Sequence, residues 1–83
     1  MADIKLYGAD WCPTTRHARE ILEQMGIVYD YINIDHDRRA ARWVAEQNDG
    51  KEKKPTLDIK GQVLSAPSDS ELMEVLEAQG ISS

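Results

Sequence analysis

Hydrophobic and polar positions along the 83 residues switch between two periods, and the switches mark out seven elements. The run "IKLY", Ile4 to Tyr7, is short, apolar and rich in strand formers, and predicts a first strand. Gly8 to Trp11 turn the chain. From Pro13 onward Ala18, Ile21, Leu22 and Met25 fall at i, i+3, i+4 and i+7, one apolar face of a helix. Proline suits the first helical position, where its missing N–H has no bond to lose. Gly26 suits the C′ position just past the helix end. "IVYDYINID", Ile27 to Asp35, is β-branched and aromatic throughout and predicts a second strand, buried on both sides over part of its length.

Asp35 to Asp37 supply caps for a second helix whose apolar stripe is Ala40, Ala41, Val44 and Ala45, closed by "NDG" at Asn48 to Gly50. In "PTLDIKGQVLS", Leu57 and Ile59 alternate with polar neighbours, Lys60-Gly61 turns the chain, and Val63-Leu64 returns, which predicts a β-hairpin. "SDSE", Ser68 to Glu71, is a capping-box signature ahead of a last helix that carries Leu72, Val75 and Leu76 and ends at Gly80. The order is β-α-β-α-β-β-α within one domain, 1–83. The first β-α-β should be a right-handed crossover joining parallel strands. Four strands in a mixed sheet with helices on both faces make a three-layer α/β sandwich, the thioredoxin fold in its minimal form.

Composition narrows the function classes. A chain this short buries roughly 60% of its unfolded surface, enough for one core. Fifteen acids against ten bases give a formal charge of −5, which argues against a nucleic-acid partner, and "KEKK" at Lys51 to Lys54 is too short to change that. No segment approaches the ~20 apolar residues of a membrane helix. "MADIKLYG" has neither the basic region nor the apolar run of a signal peptide. A single cysteine excludes an internal disulfide framework and fits a reducing compartment, with the cytoplasm as the default.

That cysteine, Cys12, stands between a strand and a helix, at or next to the N-cap, where free N–H groups and the dipole favour an anion. The position should lower its pKa and make the thiol reactive. Arg16 and His17 are expected to add positive potential, and Asp10 to oppose it. The flanking polar residues and the turn-to-helix location favour an exposed, reactive thiol over a small buried hydrophobe. The hydroxyls of Thr14 and Thr15 are in reach to donate to the sulfur.

"YGADWCPTTRHAREILEQMGIVYDYINID" followed by "KKPTLDIKGQVLSAPSDSEL" resembles a small bacterial glutaredoxin, of the glutaredoxin and mycoredoxin branch of the thioredoxin superfamily. Three features carry the resemblance: a W-C-P loop after the first strand, a proline just before the third strand, and G-x-x-L-x-x-P-S before the last helix. It implies that Cys12 is the nucleophile, within a loop of Trp11, Pro13, Thr14, Thr15 and Arg16. It also implies that Pro55 is a cis-proline facing Cys12. Lys54, Pro55 and Thr56, together with Ser68 and Asp69, are then the candidates for holding the thiol partner, although Asp69 itself would repel a carboxylate. Thr15 stands where dithiol members keep a resolving cysteine, so the implied activity is the monothiol route on mixed disulfides. A low-molecular-weight thiol, glutathione or mycothiol-type, enters as co-substrate, and no bound cofactor or metal is implied. The expected partners are that thiol and mixed-disulfide proteins, met by a monomer. Lys54 departs from the apolar β-branched residue usual before the proline.

Two further readings stand beside this one. Cys12, Thr14 and Arg16 fit the C-x-T-x-R of arsenate reductases, in which the arginine and helix N-terminus hold an oxyanion. Loss of the second sulfur also suits a non-catalytic binding domain. The C-G-F-S of cluster-binding monothiol glutaredoxins is absent, and Pro13, Thr14 and Thr15 fill that loop instead.

Overall fold

The computed structural model describes residues 3–81. The elements are β1 (Ile4–Gly8), α1 (Pro13–Gln24), β2 (Asp30–Asn33), α2 (Arg38–Gln47), β3 (Thr56–Ile59), β4 (Gln62–Ser65) and α3 (Asp69–Ala78), in the predicted order. The four strands form one mixed sheet in the order β2-β1-β3-β4. β1 runs parallel to β2 and antiparallel to β3, and β3 pairs antiparallel with β4.

The strand alternation decides which helix covers which face. Ile4 and Leu6 of β1 and Leu57 and Ile59 of β3 point to one side, where Ala18 and Leu22 of α1 meet Leu72 and Leu76 of α3. Tyr7 and Ile32 point to the other, where Ala40 and Val44 of α2 cover them. Each fully buried leucine contributes roughly 1.5–3 kcal/mol relative to an exposed one, so the α1/α3 side holds most of the core.

The two core helices end alike. Past α1, Gly26 is left-handed at φ 69°, its N–H bonds Glu23 O at 3.1 Å, and Ile27 N–H bonds Leu22 O at 3.0 Å. Past α3, Gly80 (φ 71°) bonds Glu77 O at 3.0 Å, and Ile81 N–H bonds Leu76 O at 2.9 Å. Both are Schellman closures in which an isoleucine packs back over the helix's last apolar turn. Asp37 caps α2 through Ala40 N–H at 3.0 Å. Ser68 and Glu71 close a capping box on α3. Lys60 and Gly61, both at positive φ, make the two-residue hairpin between β3 and β4.

The second strand differs from expectation. It spans only Asp30–Asn33, not Ile27–Asp35, and it lies at the sheet edge. Ile27 is drawn into the α1 closure, so the chain stays irregular until Asp30, and Val28 is 78% exposed. Tyr31 packs half-buried on the α1/α3 core and Ile32 on the α2 core, which is the two-faced burial that the apolar run encoded.

One contact seats α1 on the sheet. A Cβ placed on Gly8, the last residue of β1, would stand 2.5 Å from Thr15 Cγ2 and Oγ1, and Thr15 is fully buried. Glycine is needed there because the helix's first turn lies against the strand backbone. Gly8→Ala is expected to cost about 1–3 kcal/mol, an overpacking penalty, in urea unfolding. A Gly8→Ala/Thr15→Ala double variant should recover part of that loss relative to the sum of the single changes.

Candidate active site

Cys12 is the N-cap of α1, with extended backbone (φ −80°, ψ 117°) and Pro13 at the first helical position. Its N–H bonds Ala9 O at 3.1 Å and its carbonyl accepts from Arg16 N–H at 3.1 Å, so the residue is fixed from both sides. It is 8% exposed, which corrects the expectation of an exposed thiol: the loop covers most of the residue.

Two threonines define the surroundings of the sulfur. Cys12 Sγ and Thr14 Oγ1 are 3.0 Å apart, within hydrogen-bond reach. The Thr14 hydroxyl also lies 3.4 Å from the Lys54 carbonyl, to which it donates weakly. A hydroxyl has one proton, so it turns to the sulfur when the sulfur is charged. Thr15 is buried beneath, its hydroxyl accepting from Ala9 N–H at 3.4 Å. Burial pushes the Cys12 thiol up, but the Thr14 hydroxyl, the Thr15 hydroxyl and the amides of both residues outweigh it and bring the pKa down to about 7. The lowering was expected, but its source differs. Neither Arg16 nor His17 is among the groups acting on the sulfur. Arg16 is exposed and shares a surface depression with Arg19, Glu20 and Glu23, on the solvent side of α1. His17 Nε2 pairs with both Asp69 carboxylate oxygens at 3.0 Å, and Asp69 holds the imidazole pKa above its ordinary value.

The Lys54–Pro55 peptide is cis, and Pro55 is buried. Ala66 N–H bonds Pro55 O at 2.7 Å, fixing the segment against the end of β4. Lys54 Nζ sits 5.4 Å from the centre of the Trp11 ring, close enough for a cation–π contact, so its charge is directed to that indole and not to the sulfur. Trp11 is 65% exposed, and its Nε1 donates to Asp35 Oδ2 at 2.7 Å. The side chain of Thr56 is unavailable to any ligand: it is fully buried, donates to Lys53 O at 2.9 Å and accepts from Asn48 Nδ2 at 3.3 Å. The cause is strand alternation, which turns Thr56 to the α2 side while Leu57 enters the core.

A groove of about 150 Å3 runs from the loop toward α3, lined by Thr14, His17, Pro55, Pro67, Asp69 and Leu72 among others. The His17–Asp69 pair bridges α1 and α3 at this groove. Ser68 is absorbed in its capping box, its hydroxyl accepting from Glu71 N–H and its own N–H donating to Glu71 Oε1, both at 3.2 Å. Two supporting residues escaped the sequence analysis. Asn48, read only as a helix end, joins the Val44 carbonyl, Thr56 and Ser65 in a buried network beneath the Pro55 segment. Tyr31, read only as a strand residue, donates to Asp10 Oδ1 at 2.7 Å. Nothing local in the sequence marks either role, because both depend on the strand order.

A sequence model of the family described as Glutaredoxin matches residues 4–64, and the chain belongs to that family. Thiol–disulfide oxidoreduction of the glutaredoxin type is therefore its class of chemistry. It is 34% identical over 79 residues to Mycoredoxin 1 of Corynebacterium glutamicum, covering 94% of this chain and 98% of that one. Among solved structures, it resembles the thioredoxin-like protein BC3987 (TM-score 0.78, 23% identity, 88% of this chain and 99% of that one). It also resembles a buckwheat glutaredoxin–glutathione complex (TM-score 0.70, 19% identity, 95% and 80%). These two likenesses establish the thioredoxin-like fold. Among the described residues, no helix is long and apolar enough to cross a membrane.

The Cys12 alkylation rate by iodoacetamide should rise with pH through a midpoint near about 7. Thr14→Val is expected to raise that midpoint by roughly one unit, the worth of one hydrogen bond to a charged acceptor, while Thr14→Ser preserves it. The folded pKa lies below the ordinary 9.0, so the thiolate's contribution to stability is present above the unfolded value and lost as pH falls through about 7. Urea unfolding at pH 6, 7.5 and 9 should show a stability increment over that window that Cys12→Ser lacks.

Proposed function

We propose that the protein is a one-cysteine thiol–disulfide oxidoreductase that acts on mixed disulfides between proteins and a low-molecular-weight thiol, glutathione or mycothiol-type. The observation that carries this reading is the Cys12 sulfur at the α1 N-terminus, 3.0 Å from the Thr14 hydroxyl, in a chain with no second cysteine.

The exchange runs in two balanced steps. The Cys12 thiolate attacks the small-thiol sulfur of the mixed disulfide. A new S–S bond joins Cys12 to the small thiol, and the protein sulfur leaves as a thiolate that takes a proton from water. A second small-thiol molecule, as its thiolate, then attacks the small-thiol sulfur held on Cys12. The products are the symmetric small-thiol disulfide and the regenerated Cys12 thiolate. The Thr14 and Thr15 hydroxyls and the two amides stabilise the anion at the start and at the end. The groove toward α3 offers the small thiol an apolar wall beside Pro55, with Thr14, His17 and Asp69 as polar contacts. The protein works as a monomer in a reducing compartment such as the cytoplasm, where the thiol pool stays reduced.

Turnover of a fluorescent peptide mixed disulfide, measured with each small thiol in turn, tests this reading. The parent is expected to turn over with at least one of them, and Cys12→Ser to fall to background. Parent activity no higher than Cys12→Ser with every thiol would leave a binding domain instead. Thr15→Cys replaces one buried side chain with another of similar size, and should yield a protein that loses both free thiols on mild oxidation and regains them with dithiothreitol.

A further inference from the structure

The two residues immediately before Cys12 are both held from the β2 side. Tyr31 Oη donates to Asp10 Oδ1 at 2.7 Å, and Trp11 Nε1 donates to Asp35 Oδ2 at 2.7 Å. Tyr31 is itself braced. The Arg19 guanidinium lies 4.1 Å from the centre of its ring, Arg19 Nε donates to Tyr29 Oη at 3.1 Å, and Tyr29 Oη donates to Glu23 Oε2 at 2.6 Å. Burial, with the Asp10 carboxylate beside it, pushes the Tyr31 phenol up to about 12, so it remains a donor wherever Cys12 titrates.

Topology gives this chain of contacts its direction. β2 pairs with β1 on the side opposite β3, so Asp10 is drawn across β1 from the Lys54–Pro55 segment that Thr14 faces. The other charges near the thiol are also engaged elsewhere or turned outward. His17 is paired with Asp69, Lys54 lies over Trp11, Asp35 holds Trp11, and Arg16 stands on the exposed α1 stripe. Asp10 is the only acid within two residues of Cys12. A carboxylate free to turn toward a thiolate would disfavour it by like-charge repulsion.

We infer that Tyr31 is a positioning residue for the thiol: its hydroxyl latches the Asp10 carboxylate onto β2 and keeps that negative charge turned from the sulfur. The inference rests on Cys12 being the working nucleophile. Its test reads the sulfur's proton directly, so it holds or fails independently of any turnover assay.

The test is the Cys12 pKa, followed by thiolate absorbance at 240 nm against pH, in four proteins: parent, Tyr31→Phe, Asp10→Asn and the double variant. Tyr31→Phe keeps the ring and its contact with Arg19 and removes only the donor. It should raise the Cys12 pKa by roughly half a unit to one unit, the shift expected from a partly solvated like charge. Asp10→Asn alone should leave the pKa near the parent value, and Asp10→Asn/Tyr31→Phe should return it there. An unchanged pKa in Tyr31→Phe would overturn the latch. So would a rise that persists in the double variant, because the cause would then be a loosened loop and not the Asp10 charge.

Discussion

The seating of Thr15 against Gly8 is the contact on which the site depends. A helix can begin directly at the end of a strand only if its first turn finds room there. Here the room comes from a missing Cβ, with Thr15 occupying the space that an alanine at position 8 would claim. Because Thr15 is locked, the helix starts at Pro13 with Cys12 as its N-cap, and the Thr14 hydroxyl is left on the sulfur's side. In the proposed one-cysteine reading the same buried threonine stands in place of a resolving sulfur, and the chain's single cysteine leaves Cys12 no partner for an internal disulfide.

Thiol activation here is a matter of short-range hydrogen bonding and not of net charge. The protein is acidic, and each cation near Cys12 is engaged elsewhere or turned outward: His17 with Asp69, Lys54 on Trp11, Arg16 on the outer stripe. A surface cation would contribute little, since solvent and salt screen exposed charges. The hydroxyls and amides of Thr14 and Thr15 act on the sulfur at short range, in a residue that the loop largely covers, and they outweigh the burial that opposes ionisation.

Element order, caps and turns were legible because each is written locally. Gly26 and Gly80 follow apolar helix faces, Ser68 precedes Glu71 by three residues, and Lys60-Gly61 separates two alternating runs. The length of β2 was not legible, because Ile27 serves the helix closure behind it as readily as a strand ahead of it. The position of Cys12 could be read from the strand-to-helix junction. The partners of its neighbours could not, because a sequence neighbour is not a spatial one. His17 adjoins Arg16 in the chain yet meets Asp69 of α3, and Asp10 is taken up by Tyr31 of a strand that begins eighteen residues after Cys12. Thr56 is a different case: alternation with Leu57 and Ile59 already sets its face, and what the sequence leaves out is the Asn48 and Lys53 partners that enclose its hydroxyl.

A thiol pKa of about 7 suits the proposed two-step exchange better than a much lower one. As attacker, a sulfur is most effective when its pKa lies near ambient pH, because a more acidic thiolate is more abundant but less nucleophilic. As leaving group in the second step, the less basic sulfur departs faster, and a Cys12 of about 7 is a better leaving group than an ordinary alkyl thiol. In a dithiol protein a resolving sulfur clears the mixed disulfide from within. In the proposed exchange, with one cysteine in the chain, clearance would fall to the external thiol expelling Cys12, so the hydrogen bonds that stabilise the thiolate would also favour its departure.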